Sequence, residues 1–276
     1  MALDDPEYLS ALEQRYAAQP RPATILFNPV IASLLNHRSV RTYLPRALPD
    51  GTVETLVAAA QSASSSSNLN LWSVLAVTDP AIRAKLAVLA GNQRHIEDAP
   101  LILLWVADLA RAHAIGQREG KATDALDYLD SFVTASVDTG LAAQNAVIAA
   151  ESLGLGTVYI GALRNRPEDV AALVGLPQRA AVVFGLVVGW PDPERPAAIK
   201  PRPAQATILH HDRYANDGEA AGVEAYDDAS RAFQQSQGLP AIGWKAPVLA
   251  RFANGAALNG RDRLRQALTA LGFPLR

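Results

Sequence analysis

DTGLAAQNAVIAAESLGLGTVYIGALRN, residues 138–165, is the stretch on which the fold turns. Its first half places apolar or small residues on nearly every face of a helix, and the pattern extends back to Ala125. The spacing therefore predicts a helix over 125–153 that is buried all round. At 1.5 Å per residue such a helix spans ~40 Å, more than one chain of this size encloses, so a partner subunit is expected to cover one side. Gly154-Leu155-Gly156 ends the helix and TVYIG (157–161) follows as a strand. Helix before strand, without a third glycine, is the reverse of the dinucleotide fingerprint, so these glycines read as a C-cap. Asp138 is the odd residue on the apolar helix, because a buried carboxylate needs a partner; a structural role is expected.

Working outward, AVVFGLVVGW (181–190) and LILLWVAD (101–108) read as buried strands, and LWSVLAVT from Leu71 as a fourth. Helices fit 5–18, Asn28-Pro29 toward Asn36, Pro49–Ser62 and Pro80–Ala90, with QPRPAT (19–24) as a linker. After Trp190, WPDPERPAAIKPRPAQ favours an extended excursion, followed by helices near 225–236, 245–252 and 260–271, which together read as an arm and a cap. Helix and strand runs interleave without a compositional break, so one α/β or α+β domain is expected.

Composition removes several classes of function. A net charge of −2 leaves no global field for a nucleic acid or an anionic membrane. With no cysteine there is no disulfide, thiolate metal site or cysteine nucleophile, and the five histidines show no metal-ligand spacing. Redox chemistry would need a borrowed cofactor. The N-terminal residues, acidic and without an apolar core, resemble neither a signal nor a membrane span, so a cytoplasmic location is the expectation.

Three clusters carry chemical potential. His37-Arg38-Ser39-Val40-Arg41 sets two guanidiniums, an imidazole and a hydroxyl just past a helix, where guanidinium forks suit phosphate oxygens; a solvated basic helix end is the plain alternative. Ser64-Ser65-Ser66-Ser67-Asn68 offers hydroxyls and backbone amides to a ligand, or is a flexible link. Lys200-Pro201-Arg202 puts two cations on one side of a stiffened extended stretch, able to clamp a dianion or simply to face solvent. Gln93 and His95, in GNQRHIED, either bond a ligand edge or satisfy their own loop.

Taken together, HRSVR (37–41), SSSS (64–67), the GNQRHIEDAP loop, the 138–165 stretch, LPQRAAVVFGLVVGWP (176–191) and KPRP (200–203) resemble the nitroreductase superfamily, in its oxygen-insensitive nitroreductase A and NADPH–flavin oxidoreductase branch. The resemblance covers about 36–215 closely and implies an α+β nitroreductase-like fold: a central mixed sheet flanked by helices, dimeric, with a long buried interface helix and an extended C-terminal arm. It implies an N-terminal extension over 1–27 and an FMN-binding domain over 28–276, capped from about 215 onward. By position, His37, Ser39, Lys200 and Arg202 are implied at the FMN phosphate, Arg41 at the pyrimidine edge, and Arg38 among the FMN-binding residues. Ser65, Ser66, Ser67 and Gln93 are implied along the ribityl chain and ring edge, and Tyr159-Ile160-Gly161-Ala162 near N5.

The implied activity is ping-pong hydride transfer through flavin N5, from NADPH or NADH to a nitroaromatic, quinone or flavin, with no catalytic side-chain acid or base and no metal. Three residues depart from the family pattern: Ala162 stands for a second glycine, Asn68 for an apolar or aromatic residue, and Gln237 for an arginine that grips the nicotinamide phosphates. Arg231, Lys245, Arg251 and Arg261 are candidates to compensate. The rival readings are an FMN-binding protein with weak or lost nicotinamide turnover, acting as a flavin carrier or redox-responsive partner, and a related flavoenzyme with a specialised substrate, such as a dehalogenase or ring-cleaving enzyme.

Overall fold

The computed structural model describes residues 6–22 and 25–276, so Asp5 of the first expected helix and Ala23-Thr24 of the linker lie outside the described residues. In chain order the main elements are α1 (Pro6–Tyr16), α2 (Pro29–Leu35), α3 (Thr52–Gln61), β1 (Trp72–Val77), α4 (Pro80–Leu89), α5 (His95–Asp98), β2 (Leu101–Asp108), α6 (Ala110–Glu119) and α7 (Leu129–Ser152). They continue as β3 (Gly156–Ile160), α8 (Pro167–Val174), β4 (Ala180–Gly189), α9 (Gln205–Ile208), α10 (Glu219–Ser236), α11 (Lys245–Arg251) and α12 (Leu264–Ala270). The chain divides into two compact units, Met1–Arg38 with Ala197–Ala257 and Ser39–Pro196 with Leu258–Arg276.

Local chemistry starts and stops these helices where the sequence indicates. The Asn28 side chain accepts from the Ile31 amide at 2.9 Å with Pro29 in the first turn, and Asp79 caps α4 in the same way ahead of Pro80. Gly154, at φ 77, lies just beyond the end of α7 in the left-handed conformation expected of a C-cap. Sequence reading did not name α5, α6, α8 or α9, although Pro167 and a left-handed Gly175 bracket α8 with the usual start and stop signals.

The larger unit is built on a four-stranded sheet in the order β1-β2-β4-β3, antiparallel at every pairing. The mixed sheet expected from the resemblance is thus antiparallel in all four strands, and its parallel component is the single bridge Ser39–Thr157. Seven of the eight β2 residues are buried, as a strand paired on both edges and covered on both faces requires. Leu101, Leu103 and Trp105 pack with Leu56 of α3 and Ala142, Ala143 and Ala146 of α7. Another cluster joins Ala107 to Ala171 of α8, Leu268 of α12 and Phe273.

α7 departs from expectation in an instructive way. Within one chain it is buried along one face, through Ala135, Asp138, Thr139, Ala142, Ala143, Ala146, Val147 and Ala150. Leu129, Val133, Val137 and Leu141, four residues apart, form an open stripe with 45–54% of each residue exposed. Burial on every side is therefore not achieved by the chain alone.

The smaller unit packs Leu12 and Tyr16 of α1 against Ile25, Phe27 and Leu35. In its C-terminal part Asp227 of α10 is fully buried and accepts from the Trp244 and Lys245 amides at 2.6 and 2.8 Å, capping the start of α11. The Lys245 amide, before the opposing effect of burial, is the main cause holding the Asp227 carboxyl below its usual range.

One close approach fixes the Ser39–Arg41 part of the first basic cluster within the larger unit. The Val40 amide donates to the Thr157 carbonyl at 2.9 Å, and the buried Val40 side chain lies over Gly156, where a Cβ would come within 2.7–2.9 Å of its three side-chain carbons. Gly156→Ala is expected to destabilise the fold by about 1–3 kcal/mol through overpacking. The Val40→Ala/Gly156→Ala pair should cost less than the sum of its single changes; additive denaturant-unfolding energies would show that the contact is not what sets this segment.

Candidate flavin site

The larger unit holds the second half of the basic pentad. Its edge segment is fastened at Val40 N to Thr157 O, at Tyr43 OH to Val40 O (2.7 Å) and at Leu44 N to Trp190 O (2.9 Å). With Val40 inward, Arg41 is left exposed. Arg41 lines a cleft of about 660 Å³ with Thr42, Tyr43, Pro45, Arg94, His95, Asp98 and Arg195, within the size range of small-molecule sites.

The charges around this cleft are unequally satisfied. Arg94 pairs with Asp98 at 3.5 Å and Arg195 with Asp192 at 2.8 Å, and the bond from Arg195 is the main cause that lowers the Asp192 carboxyl. Arg41 has no acidic partner among the described residues. Burial, reinforced by Arg41 and opposed by Asp98, pushes the His95 imidazole down, and its buried Nε2 has no protein partner. The exposed Arg41 guanidinium and the His95 ring thus line one cleft, and a cation there suits the polar edge of a heterocycle. Tyr43 is raised by burial, so its hydroxyl remains a proton donor to Val40 O.

In the GNQRHIED loop, Gln93 follows the second of its two sequence readings. Gln93 donates to Ala90 O at 2.9 Å and so satisfies its own loop, and it is Arg94 and His95 that line the cleft with Arg41. Sequence reading singled out His95 beside Gln93 but assigned it no place in the site.

The serine run is held by Asp138. The Ser65 hydroxyl donates to Asp138 Oδ2 at 2.6 Å and accepts from the Asn70 amide at 2.8 Å, while the Ser66 amide donates to Asp138 Oδ1 at 3.0 Å. Asp138 is therefore structural, as its sequence context suggests, and fixes the loop as more than a flexible link. Ser67, Asn68 and Asn70 adopt left-handed backbone at φ 47, 55 and 51, a conformation that costs ordinary residues energy and persists where surrounding bonds impose it. Ser65 is committed to the protein, whereas Ser66 and Ser67 are exposed.

At the end of β3, Tyr159 stacks edge-on against Phe184 at 5.0 Å and its hydroxyl lies 3.5 Å from Gln144 Oε1. Burial, with Glu151 adding to it, raises the Tyr159 phenol. Ile160 is buried; Gly161 and Ala162, both partly buried, open a short 3-10 turn. A Cβ at Gly161 would meet nothing nearer than the end of the Arg164 guanidinium at 3.3 Å. Packing within the chain therefore does not demand glycine there.

The smaller unit holds His37, Arg38, Lys200 and Arg202. Ile199 and Pro201 are buried while Lys200 and Arg202 are exposed, the alternation expected of an extended stretch with its two cations on one side. The His37 and Lys200 carbonyls both accept from the Arg15 guanidinium, at 2.7 and 2.9 Å, which brings the two basic segments together. Arg15 was not a sequence candidate, since nothing in 1–27 resembled the family pattern.

In the same unit, uncharged Gln237 caps the end of α10 and donates to Ser236. Of the candidates to replace the missing arginine there, Arg231 is paired with Asp227 and Asp228, and Lys245 with Glu224. Arg251 remains exposed, donating to Ala257 O at 3.4 Å. In the larger unit Arg261 donates to Leu258 O at 2.9 Å.

Comparison with known proteins places this geometry. The profile of the Nitroreductase family matches residues 34–190, and that of the Nitroreductase family, C-terminal domain, matches 200–276. The chain is 37% identical over 210 residues to an NADPH-flavin oxidoreductase of Vibrio harveyi, covering 76% of this chain and 84% of that protein. It is 39% identical over 190 residues to an oxygen-insensitive NADPH nitroreductase of Salmonella typhimurium, covering 68% and 75%. The solved NADPH:FMN oxidoreductase from Vibrio harveyi complexed with NAD+ superposes with a TM-score of 0.80 at 32% identity, over 90% of this chain and all of that one. With the resemblance first read in its motifs now matched along both of its parts, the chain belongs to the nitroreductase family.

Proposed function

We propose that the protein is an FMN-dependent NAD(P)H oxidoreductase of the nitroreductase, quinone or flavin reductase type. The observation that carries this reading is the gathering of His37 with the outward-facing Lys200 and Arg202 in the smaller unit, where a dianion finds several charge-assisted donors. Within the larger unit, the cleft lined by Arg41 and His95 suits the polar edge of a flavin. The residues fit FMN. The relatives' names point the same way, covering NADPH-flavin oxidoreductase, FMN reductase and nitroreductase activities.

In this reading His37, Ser39, Lys200 and Arg202 hold the phosphate, Arg38 belongs to the FMN site beside them, and Arg41, with His95, faces the pyrimidine edge. Ser66 and Ser67 serve the ribityl chain, with Ser65 anchoring them through Asp138. Tyr159, Ile160 and Ala162 frame Gly161, whose bare backbone allows close approach from outside the chain. Gln93, its amide nitrogen held by Ala90 O, takes its place with the serines at the ribityl chain and ring edge. When bound, FMN supplies the redox chemistry, accepting a hydride from the nicotinamide and passing reducing equivalents to the acceptor; the chain positions it, and the Arg41 charge favours an electron-rich ring.

We further propose a homodimer in the cytoplasm, with 1–27 as an extension and 28–276 as the FMN-binding domain. The open Leu129–Val133–Val137–Leu141 stripe of α7 supports the dimer, since a continuous apolar face of this kind is ordinarily covered by a partner. No helix among the described residues is long and apolar enough to cross a membrane.

A second reading, a flavin-binding protein with weak nicotinamide turnover, is favoured by Gln237 and by the engagement of Arg231 and Lys245 with acids. The visible spectrum of the purified protein, followed by anaerobic addition of NADPH and then NADH, separates the two. Bleaching of a yellow protein supports the reductase, flavin that stays oxidised supports the carrier, and no flavin uptake overturns both. Lys200→Ala and Arg202→Ala should each weaken FMN binding by about 1.5–3 kcal/mol; unchanged retention would remove them from the phosphate site. Sedimentation equilibrium should give twice the 29.3 kDa chain mass, and a stable monomer would refute the dimer.

A further inference from the structure

The helix α1 precedes both stretches matched by the family, 34–190 and 200–276. Even so, Arg15 near its end and Gln19 just beyond it are polar residues only 7% and 5% exposed. Burying a guanidinium is unfavourable unless its donors are satisfied, and those of Arg15 are directed at backbone. Nε and Nη2 donate to Leu35 O at 3.2 and 2.7 Å, Nη2 also to His37 O at 2.7 Å, and Nη1 to Lys200 O at 2.9 Å. Leu35 is the last residue of α2, where carbonyls lack partners within the helix and a basic side chain can cap them.

The attachment continues along the second basic segment. The Arg202 amide donates to Arg15 O at 2.8 Å, and the Gln19 amide group donates to Arg202 O at 2.8 Å and accepts from Ala204 N at 3.2 Å. The backbone of 200–204 is thus held at Lys200, Arg202 and Ala204, and this edge-on hold leaves the Lys200 and Arg202 side chains facing outward.

We propose that Arg15 and Gln19 are positioning residues that set the FMN phosphate clamp, fixing the His37 segment and the Lys200–Arg202 segment on one rigid guanidinium plane. The inference rests on the FMN reading above and gives the N-terminal extension a role in cofactor affinity. Neither residue need touch the flavin. A lysine at position 15 keeps the charge but lacks the planar fork that engages three carbonyls at once.

Riboflavin, which lacks only the phosphate, separates positioning of the clamp from general stability. Full-length flavin-free protein carrying Arg15→Ala or Gln19→Ala is titrated with FMN and with riboflavin by fluorescence quenching, with circular dichroism to check folding. Arg15→Ala should lose FMN affinity by about tenfold or more, with riboflavin affinity changed less than about twofold; Gln19→Ala should lose FMN affinity by about threefold. Arg15→Lys should behave as Arg15→Ala. If Arg15→Ala does not fold, Gln19→Ala decides. An FMN-to-riboflavin affinity ratio equal to that of the unaltered chain in every folded variant would overturn the inference while leaving the FMN reading intact. Failure of the unaltered chain to bind FMN would instead fell that reading and this inference with it.

Discussion

The ladder of β2 is the constraint on which the larger unit depends. A strand with seven of eight residues buried has no water to satisfy its backbone, so β1 and β4 must pair with it along both edges. Once β4 is placed, β3 adds at its far edge, and α7 and α3 cover the face carrying Leu101, Leu103 and Trp105. Every candidate site residue of that unit sits at a margin of this arrangement. Ser39–Arg41 lie beside β3, the serine turn follows α3, the His95 turn precedes β2, and Gly161 follows β3.

Polar groups within each of the two units divide by how the chain engages them. Asp138 engages Ser65 and Ser66, Asp192 engages Arg195, and Asp227 engages two amides and Arg231. Such groups hold structure. Arg41, with no acidic partner among the described residues, and the solvent-exposed Lys200 and Arg202 side chains are placed to meet a ligand. A flavin phosphate and a heterocycle edge call for such cations, and a mechanism without a side-chain acid or base asks for little else.

The sheet strands, the caps of α2 and α4, the glycine end of α7 and the structural role of Asp138 were legible in the sequence, because each depends on periodicity or on residues within one turn. So were the cations of HRSVR and KPR and, through the order of its motifs, the family. Four helices escaped notice, the short α5 and α9 as well as α6 and α8, despite the bracketing Pro167 and Gly175 of α8. The mixed sheet was implied by the resemblance alone; the four strands pair antiparallel, with Ser39–Thr157 as a parallel bridge beside them.

Only the tertiary structure decided which side chains are already engaged. Sequence offers Gln93 and His95 as equals two residues apart, but folding turns Gln93 onto Ala90 and leaves His95 in the cleft. Sequence treats Ser65 and Ser66 alike, but the Ser65 hydroxyl is taken by Asp138, 73 residues away. Nothing local distinguishes Arg15 from any basic residue near a helix end, yet its guanidinium meets Lys200, 185 residues away. Hydrophobic periodicity and capping are short-range and can be read along the chain. The choice of partner for a long polar side chain is settled by which distant carbonyls and carboxylates the fold delivers to it, and that is where tertiary structure alone decides.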